Sequence, residues 1–423
     1  MTDTNKSKYV EIDKAGRLII PAEMAAQLGI KPGTRVRINE NQNNLQLQFP
    51  SRLSKLYIEP TNLCNLDCRT CIRNVWTEPM GKMSEATFAR VLEGLSAFSP
   101  SPSVFFGGFG EPLFHPDIVN MVARVKALGA KVELITNGTL LTREMSRELV
   151  QAGLDVLWVS LDGATPESYT DIRLGAALPN VLENITNFQT ATREEYSPDG
   201  TRRGIPVALT KLGIVFVAMK RNIADLPAVI DIAQQAGAEG FMVTNVLPYT
   251  KEMLDEVLYY GEIHNIGLRN LSLPGMDVND ITYGPIYEAI KMMYGSWAGI
   301  NSENARNRCP FIAAGAGAIS WDGNLSPCLP LMHSHSSYIG FLQNEERTSR
   351  RWVIGNVTER SLSDLWHAPE HLAFRERVQS FDFSPCTSCG ACDLSGKNEA
   401  DCINNVFPTC GSCLWAQGVI QCP

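Results

Sequence analysis

The chain has 423 residues, 44% of them apolar, and a formal net charge of −8. That composition supplies core for two or three packed domains and excludes wholesale disorder, while the acidic balance excludes a body built to coat nucleic acid. The opening MTDTNKSKYVEID is polar and the longest apolar runs, such as Leu212 to Met219, are too short to span a bilayer, so the expectation is a soluble, cytoplasmic chain with no membrane partner.

Residues 1–50 form a small unit of their own. YVEIDKAGRLIIP alternates like a strand, turns at Ala15-Gly16 and resumes as RLII. Pro21 opens a helical stretch, Pro32-Gly33 makes a second turn, and LQLQF closes the unit. So short a unit buries little by itself, which makes pairing with a second copy plausible. Residues 51–250 then alternate between strand and helix patterns. The strands are expected at Leu53–Glu59, Ser103–Gly107, Lys131–Thr136, Asp155–Leu161, Ala208–Met219 and Gly240–Val246. Ile118, Met121, Val122, Val125 and Leu128 recur at helical spacing before Gly129, and Asp225 with Pro227 starts a helix that Gly237 ends. Six such units predict an α/β fold, an open, partial (β/α)6 TIM barrel with a parallel sheet. Residues 251–305 read as a helical bridge. Residues 306–423 are rich in Cys, Gly and Pro, with short elements that need staples.

Twelve cysteines, without a secretion signal, point to metal or cluster ligands rather than disulfides. Three of them, Cys64, Cys68 and Cys71, follow the first strand as C-x3-C-x2-C, at the carboxyl end where active loops of parallel βα architectures lie. Three thiolates on one loop hold three irons of a 4Fe–4S cube and leave the fourth open, whereas structural clusters take four cysteines. A zinc site would want a fourth ligand nearby, and the next cysteine is Cys309.

This loop resembles the signature of the radical S-adenosylmethionine (SAM) superfamily, and further motifs of that family follow in order. Gly107-Gly-Phe-Gly-Glu-Pro112 resembles the "GGE" motif, which implies that exposed backbone groups of Gly108, Gly110 and Glu111 hold the methionine amino group of SAM. Thr136-Asn-Gly138 ends the third strand and Val159-Ser-Leu-Asp-Gly163 the fourth. The resemblance assigns Ser160 to the SAM ribose or carboxylate. Asp162 either shapes that pocket or is a turn residue. Arg173 is the family's arginine for the SAM carboxylate, a task that suits a guanidinium; Asn222 and Leu247 fall toward the ribose and adenine. The implied chemistry is reductive cleavage of SAM to a 5′-deoxyadenosyl radical that abstracts a hydrogen atom from substrate. It implies a low-potential electron donor such as ferredoxin or flavodoxin.

Nine more cysteines lie in the tail: Cys309, Cys328, Cys386, Cys389, Cys392, Cys402, Cys410, Cys413 and Cys422. The C-x13-G-x4-C piece ending at Cys328 resembles the start of a SPASM domain, although the later spacing departs from that family. Eight of the nine would hold two auxiliary 4Fe–4S clusters and leave one spare. The two C-x2-C pairs, Cys386/Cys389 and Cys410/Cys413, are also compatible with a zinc ribbon. Leu329 stands where related sulfatase maturases carry an aspartate base, and Asp322 reads as ordinary turn chemistry. His333 and His335 read as solvated loop histidines.

Asp13-Lys-Ala-Gly-Arg-Leu-Ile-Ile-Pro21 with Leu28-Gly-Ile-Lys-Pro-Gly33 resembles the AbrB/MazE swapped-hairpin fold, which implies an intertwined homodimer. Seven Lys/Arg against five Asp/Glu in residues 1–50 make it only weakly basic, which favours dimerisation or partner recognition over DNA. The fusion resembles radical SAM maturases associated with tungsten-containing oxidoreductases. The leading expectation is therefore a maturase that modifies a protein, a peptide or an enzyme cofactor assembly. The alternative is a DNA-binding iron–sulfur redox sensor, with the hairpin unit as its reader.

Overall fold

The computed structural model describes residues 11–27, 37–41, 44–48, 52–195, 201–202, 205–206, 210–259, 267–268, 271–293, 307–339, 345–384, 386 and 392–423. Six strands run in sequence order through one parallel sheet: β1 (Lys55–Ile58), β2 (Ser103–Phe106), β3 (Val132–Thr136), β4 (Val156–Ser160), β5 (Lys211–Ala218) and β6 (Gly240–Asn245). Their strand-forming residues are buried on both faces, as parallel sheets covered by helices require.

The crossovers are α1 (Glu85–Ser96), α2 (Ile118–Ala127), α3 (Arg143–Gln151), the pair α4 (Pro166–Ile172) and α5 (Leu178–Glu195), and α6 (Leu226–Gln235). Ser84, Thr142 and Thr165 cap three of these helices by accepting a backbone N–H, and Gly129 and Gly237 follow two others with positive φ. One face of the sheet packs on the helices through Leu56, Ile58, Phe106, Leu134 and Phe216. The other face, with Tyr57, Phe105, Trp158 and Val215, packs on residues of the tail.

The sheet does not stop at β1. Strand β7 (Ala316–Ile319) adds parallel to β1, and β8 (Asn324–Ser326) and β9 (Gly355–Asn356) follow antiparallel. The tail is thus built onto the barrel's first edge. At the opposite edge, the Asn245 side-chain amide donates to the Val419 carbonyl, and the Gln421 N–H donates to Thr244 Oγ1. Leu414, Val419 and Ile420 pack there against Ile72, Met219 and Leu247. The lateral opening of a six-strand barrel is therefore partly filled by the chain's own last residues.

In the stretch expected as a helical bridge, the described residues hold Lys251–Leu254, the short hairpin Gly267–Leu268/Leu271–Ser272 and α7 (Tyr283–Met293), which packs on α6. Near the start, Glu11–Ile12 pairs with Leu18–Ile19 around a turn held by Asp13 and Gly16, Ala22–Gln27 is helical, and Arg37–Asn41 pairs with Asn44–Gln48. The expected turn at Pro32-Gly33 lies outside the described residues.

Candidate functional site

Cys64, Cys68 and Cys71 sit on the loop that leaves β1. Thr61 and Asn62 brace its start against the 79–81 segment: Thr61 Oγ1 donates to the Gly81 carbonyl at 2.7 Å and Asn62 Nδ2 to that of Pro79 at 2.8 Å. The Cys71 N–H closes a turn onto the Cys68 carbonyl at 3.0 Å. Donors point at the sulfurs: the Leu66 N–H lies 3.4 Å from Cys64 Sγ, and Arg73 Nε 3.2 Å from Cys71 Sγ. Burial pushes the Cys64 thiol up and that of Cys68 to about 11, with the neighbouring cysteines adding to the effect at each. Any cluster taken up here must displace those protons. Three partly buried thiols on one braced loop, with N–H groups aimed at sulfur, fit a three-thiolate cluster.

The GGFGEP turn at the end of β2 lies directly against this loop. A Cβ on Gly108 would stand 2.7 Å from Glu59 Cγ, and one on Gly110 2.2 Å from the Thr61 carbonyl oxygen. The glycines are thus required by the approach of two loops, a reason independent of any ligand. Glu111 is buried, and its carboxylate accepts from the Leu113 N–H (3.0 Å), Thr136 Oγ1 (2.8 Å) and the Asn137 N–H (2.7 Å). Burial raises its pKa against those three bonds. Its carboxylate ties the end of β2 to the end of β3.

Ser160 ends β4, half-buried, and its hydroxyl has no partner among the described residues. Asp162 is buried; one oxygen accepts from Arg173 Nε and Nη2 at 2.8 and 2.6 Å, and the other from the Val217 N–H at 2.9 Å. Burial lowers the Arg173 pKa, but the Asp162 carboxylate outweighs it and the net shift is upward. Asp162 is thus more than a turn residue: it holds the guanidinium beside Cys68, whose thiol feels its charge. Asn222 is fully buried with both ends of its amide engaged: Oδ1 accepts from the Met219 N–H, and Nδ2 donates to the Asp162 and Val217 carbonyls. It fixes the β5 end instead of presenting a free donor to a ribose. Leu247 lies in the apolar cluster shared with Tyr249, Val419 and Ile420.

Sequence reasoning missed three groups. Asn137 Nδ2 bridges to Asn65 Oδ1 at 3.0 Å, joining the β3 end to the cysteine loop. Arg73 Nη2 donates to the Leu66 carbonyl at 2.6 Å and so holds its charge at the thiols. Glu59 is fully buried; one oxygen accepts from the Phe109 N–H at 3.0 Å and the other pairs with His333 Nε2 at 2.8 Å. His333 is itself buried, edge-on to Trp76 and Phe109 at 4.6 and 5.7 Å. His335 is also buried, which pushes its pKa down to about 4. Neither is a solvated loop histidine. Nothing in local spacing signals a contact 274 residues apart; the available clue is a glutamate immediately after β1.

The tail cysteines fall into groups. Cys309, Cys328, Cys410 and Cys413 line one cavity together with Leu247, His335 and Arg347. Burial raises all four thiols, Cys309 to about 12 and Cys328 and Cys410 well above the usual range, and at these three the neighbouring cysteines add to it. Cys386 feels Cys392 and Cys402. Cys389 lies outside the described residues. Cys422 accepts from Trp415 Nε1 at 3.2 Å, and burial, with Cys413 nearby, lifts it to about 11. Four thiols around one cavity, those of Cys328 and Cys410 buried, fit a four-cysteine cluster. Among the described residues, no three His, Cys, Asp or Glu side chains converge as the ligands of a single ion do. Asp322, as expected, is a turn residue, accepting from Asn324 Nδ2 at 2.7 Å.

Residues 58–197 match the Radical SAM superfamily, and residues 309–393 match the SPASM iron–sulfur cluster-binding domain. The chain is 31% identical over 371 residues to the tungsten-containing aldehyde ferredoxin oxidoreductase cofactor-modifying protein of Pyrococcus furiosus, an alignment covering 87% of this chain and 96% of that one. It is 23% identical to the Fe-coproporphyrin III synthase of Methanosarcina barkeri, over 80% of each chain. Among solved structures, Streptococcus suis SuiB bound to S-adenosylmethionine aligns with a TM-score of 0.51 at 17% identity, covering 83% of this chain and 72% of that one. Native anSMEcpe with bound AdoMet aligns at 0.50 and 16%, covering 79% and 86%. Both share the fold. These matches do not favour the redox-sensor alternative. No helix of the described residues is long and apolar enough to cross a membrane. The chain is a radical SAM enzyme with a SPASM domain, using SAM and 4Fe–4S clusters, and it belongs to the family of the Pyrococcus furiosus cofactor-modifying protein.

Proposed function

We propose that this enzyme is a maturase for the cofactor assembly of a tungsten-containing oxidoreductase, acting on a protein partner. The observation that supports it most is the 31% identity running across 96% of the cofactor-modifying relative, through barrel and tail alike. When bound, the cluster and SAM together supply a 5′-deoxyadenosyl radical that removes a hydrogen atom from substrate. Cys64, Cys68 and Cys71 are the cluster ligands in this reading. Ser160, with its hydroxyl uncommitted among the described residues, and the Arg173 guanidinium, fixed by Asp162, face SAM. Gly108, Gly110 and Glu111 act by shaping the loop. Leu414, Val419 and Ile420 exclude water from the open side of the barrel.

In the tail, Cys309, Cys328, Cys410 and Cys413 hold one auxiliary cluster. Cys386, Cys389, Cys392 and Cys402 hold a second, and Cys422 is the spare. A low-potential ferredoxin or flavodoxin is the electron donor, and the working form is a cytoplasmic homodimer.

The test is the triple variant Cys64→Ala, Cys68→Ala, Cys71→Ala, reconstituted anaerobically. It should form no 5′-deoxyadenosine yet keep about eight iron atoms, two four-iron clusters. Retention of zinc with almost no iron would overturn the auxiliary assignment. Adding an unmatured tungsten oxidoreductase to the parent enzyme should accelerate 5′-deoxyadenosine formation; no acceleration would overturn the substrate assignment.

A further inference from the structure

Arg347 lies on the strand Glu345–Ser349, opposite Ser337 of the strand His335–Ile339. It is 7% exposed, a rare position for an arginine. Its Nη1 donates to the Ser412 carbonyl at 2.9 Å, on the turn between Cys410 and Cys413. Its Nε is buried and has no hydrogen-bond partner among the described residues. A buried charged donor left without a partner is costly, so an acceptor is called for. The side chain lines the same cavity as the four thiols of Cys309, Cys328, Cys410 and Cys413. Burial raises the Cys386 thiol of the second group, and the Arg347 charge acts against that rise. His335 shares the cavity wall but is held neutral by burial.

A cluster bound by four thiolates is anionic, and reduction makes it more so. A buried cation stabilises the reduced form more than the oxidised one, and low local dielectric enlarges the difference. Arginine stays charged in proteins, so this effect is present across the working pH range.

We propose that Arg347 is the counter-charge of the Cys309, Cys328, Cys410 and Cys413 group, with its unpaired Nε–H directed to cluster sulfur, and that it raises the reduction potential of the cluster held there. The inference rests on the two-cluster reading above. It assigns the arginine a task that neither the barrel chemistry nor the thiols perform.

The experiment is a potentiometric titration followed by electron paramagnetic resonance, on full-length protein carrying the three alanines at 64, 68 and 71 so that only tail clusters report. Metal analysis comes first: a parent holding zinc overturns the cluster reading, and with it this proposal. With iron present, Arg347→Gln should make reduction of one tail cluster at least tenfold less favourable, which is 59 mV for a one-electron couple. Arg347→Lys, which keeps the charge, should stay within about threefold of the parent. A Gln variant in which no couple moves overturns the proposal. So does a Lys variant that drops as far as Gln. Should the Gln variant fail to take up iron, the Lys variant decides: potentials at the parent value support the proposal, and a tenfold loss overturns it.

Discussion

His333 reaches back across the chain to a glutamate that no motif would select. Its Nε2 meets the Glu59 carboxylate, whose other oxygen holds the Phe109 N–H of the glycine turn. Removing the imidazole strands a buried carboxylate oxygen, so His333→Ala should cost about 1–3 kcal/mol in anaerobic urea unfolding. His333→Gln, which keeps a donor, should recover part of it. A His333→Ala protein within about 0.5 kcal/mol of the parent, the range of ordinary surface substitutions, would show that the pair carries no stability. The same scale explains what was legible and what was not. The spacing of Cys64, Cys68 and Cys71 is local, so the sequence displays it. Asn222 is expected at the SAM ribose because a motif shows which residue stands at a strand end but not which way its polar atoms are spent. In the fold, those atoms are spent on neighbouring backbone carbonyls and an N–H.

Among the elements, all six barrel strands fall within three residues of where alternation and turn residues put them, since burial on both faces leaves continuous apolar runs. The stretch after 250 was harder, because short elements there depend on contacts with distant strands; α7 packs on α6 and its Met292 carbonyl accepts from Gln234. The tail helix α8 (Pro369–Ser380) buries His371 completely, edge-on to Trp366 at 4.9 Å. Burial, with Arg375 beside it, pushes the His371 pKa down from 6.5 to about 3. The unfolded chain therefore binds a proton near pH 6.5 that the folded chain refuses until about pH 3. Stability from this group is complete above pH 6.5 and is lost as pH falls through that window, about 1.4 kcal/mol by pH 5.5. His371→Leu should lose less stability than the parent between pH 7.5 and 5.5, read from urea midpoints of the metal-free protein. Equal losses in the two proteins would assign the acid sensitivity elsewhere.

At the scale of the whole molecule, the hairpin Glu11–Ile12/Leu18–Ile19 leaves Ile12, Leu18 and Ile19 exposed at 71%, 38% and 50%. Apolar strand residues so open on a single chain support a second copy as their cover. Deleting residues 1–50 should halve the mass seen by light scattering while basal SAM cleavage persists; an unchanged mass would remove the dimer from consideration. The far end of the chain has a different bearing. Residues that seal the barrel's open side, Leu414, Val419 and Ile420, follow within ten positions of Cys410 and Cys413. The lining of the cysteine cavity and the packing on the barrel's open side are thus one short length of backbone. A change at the cysteine cavity is carried to the barrel's open side by the same few residues.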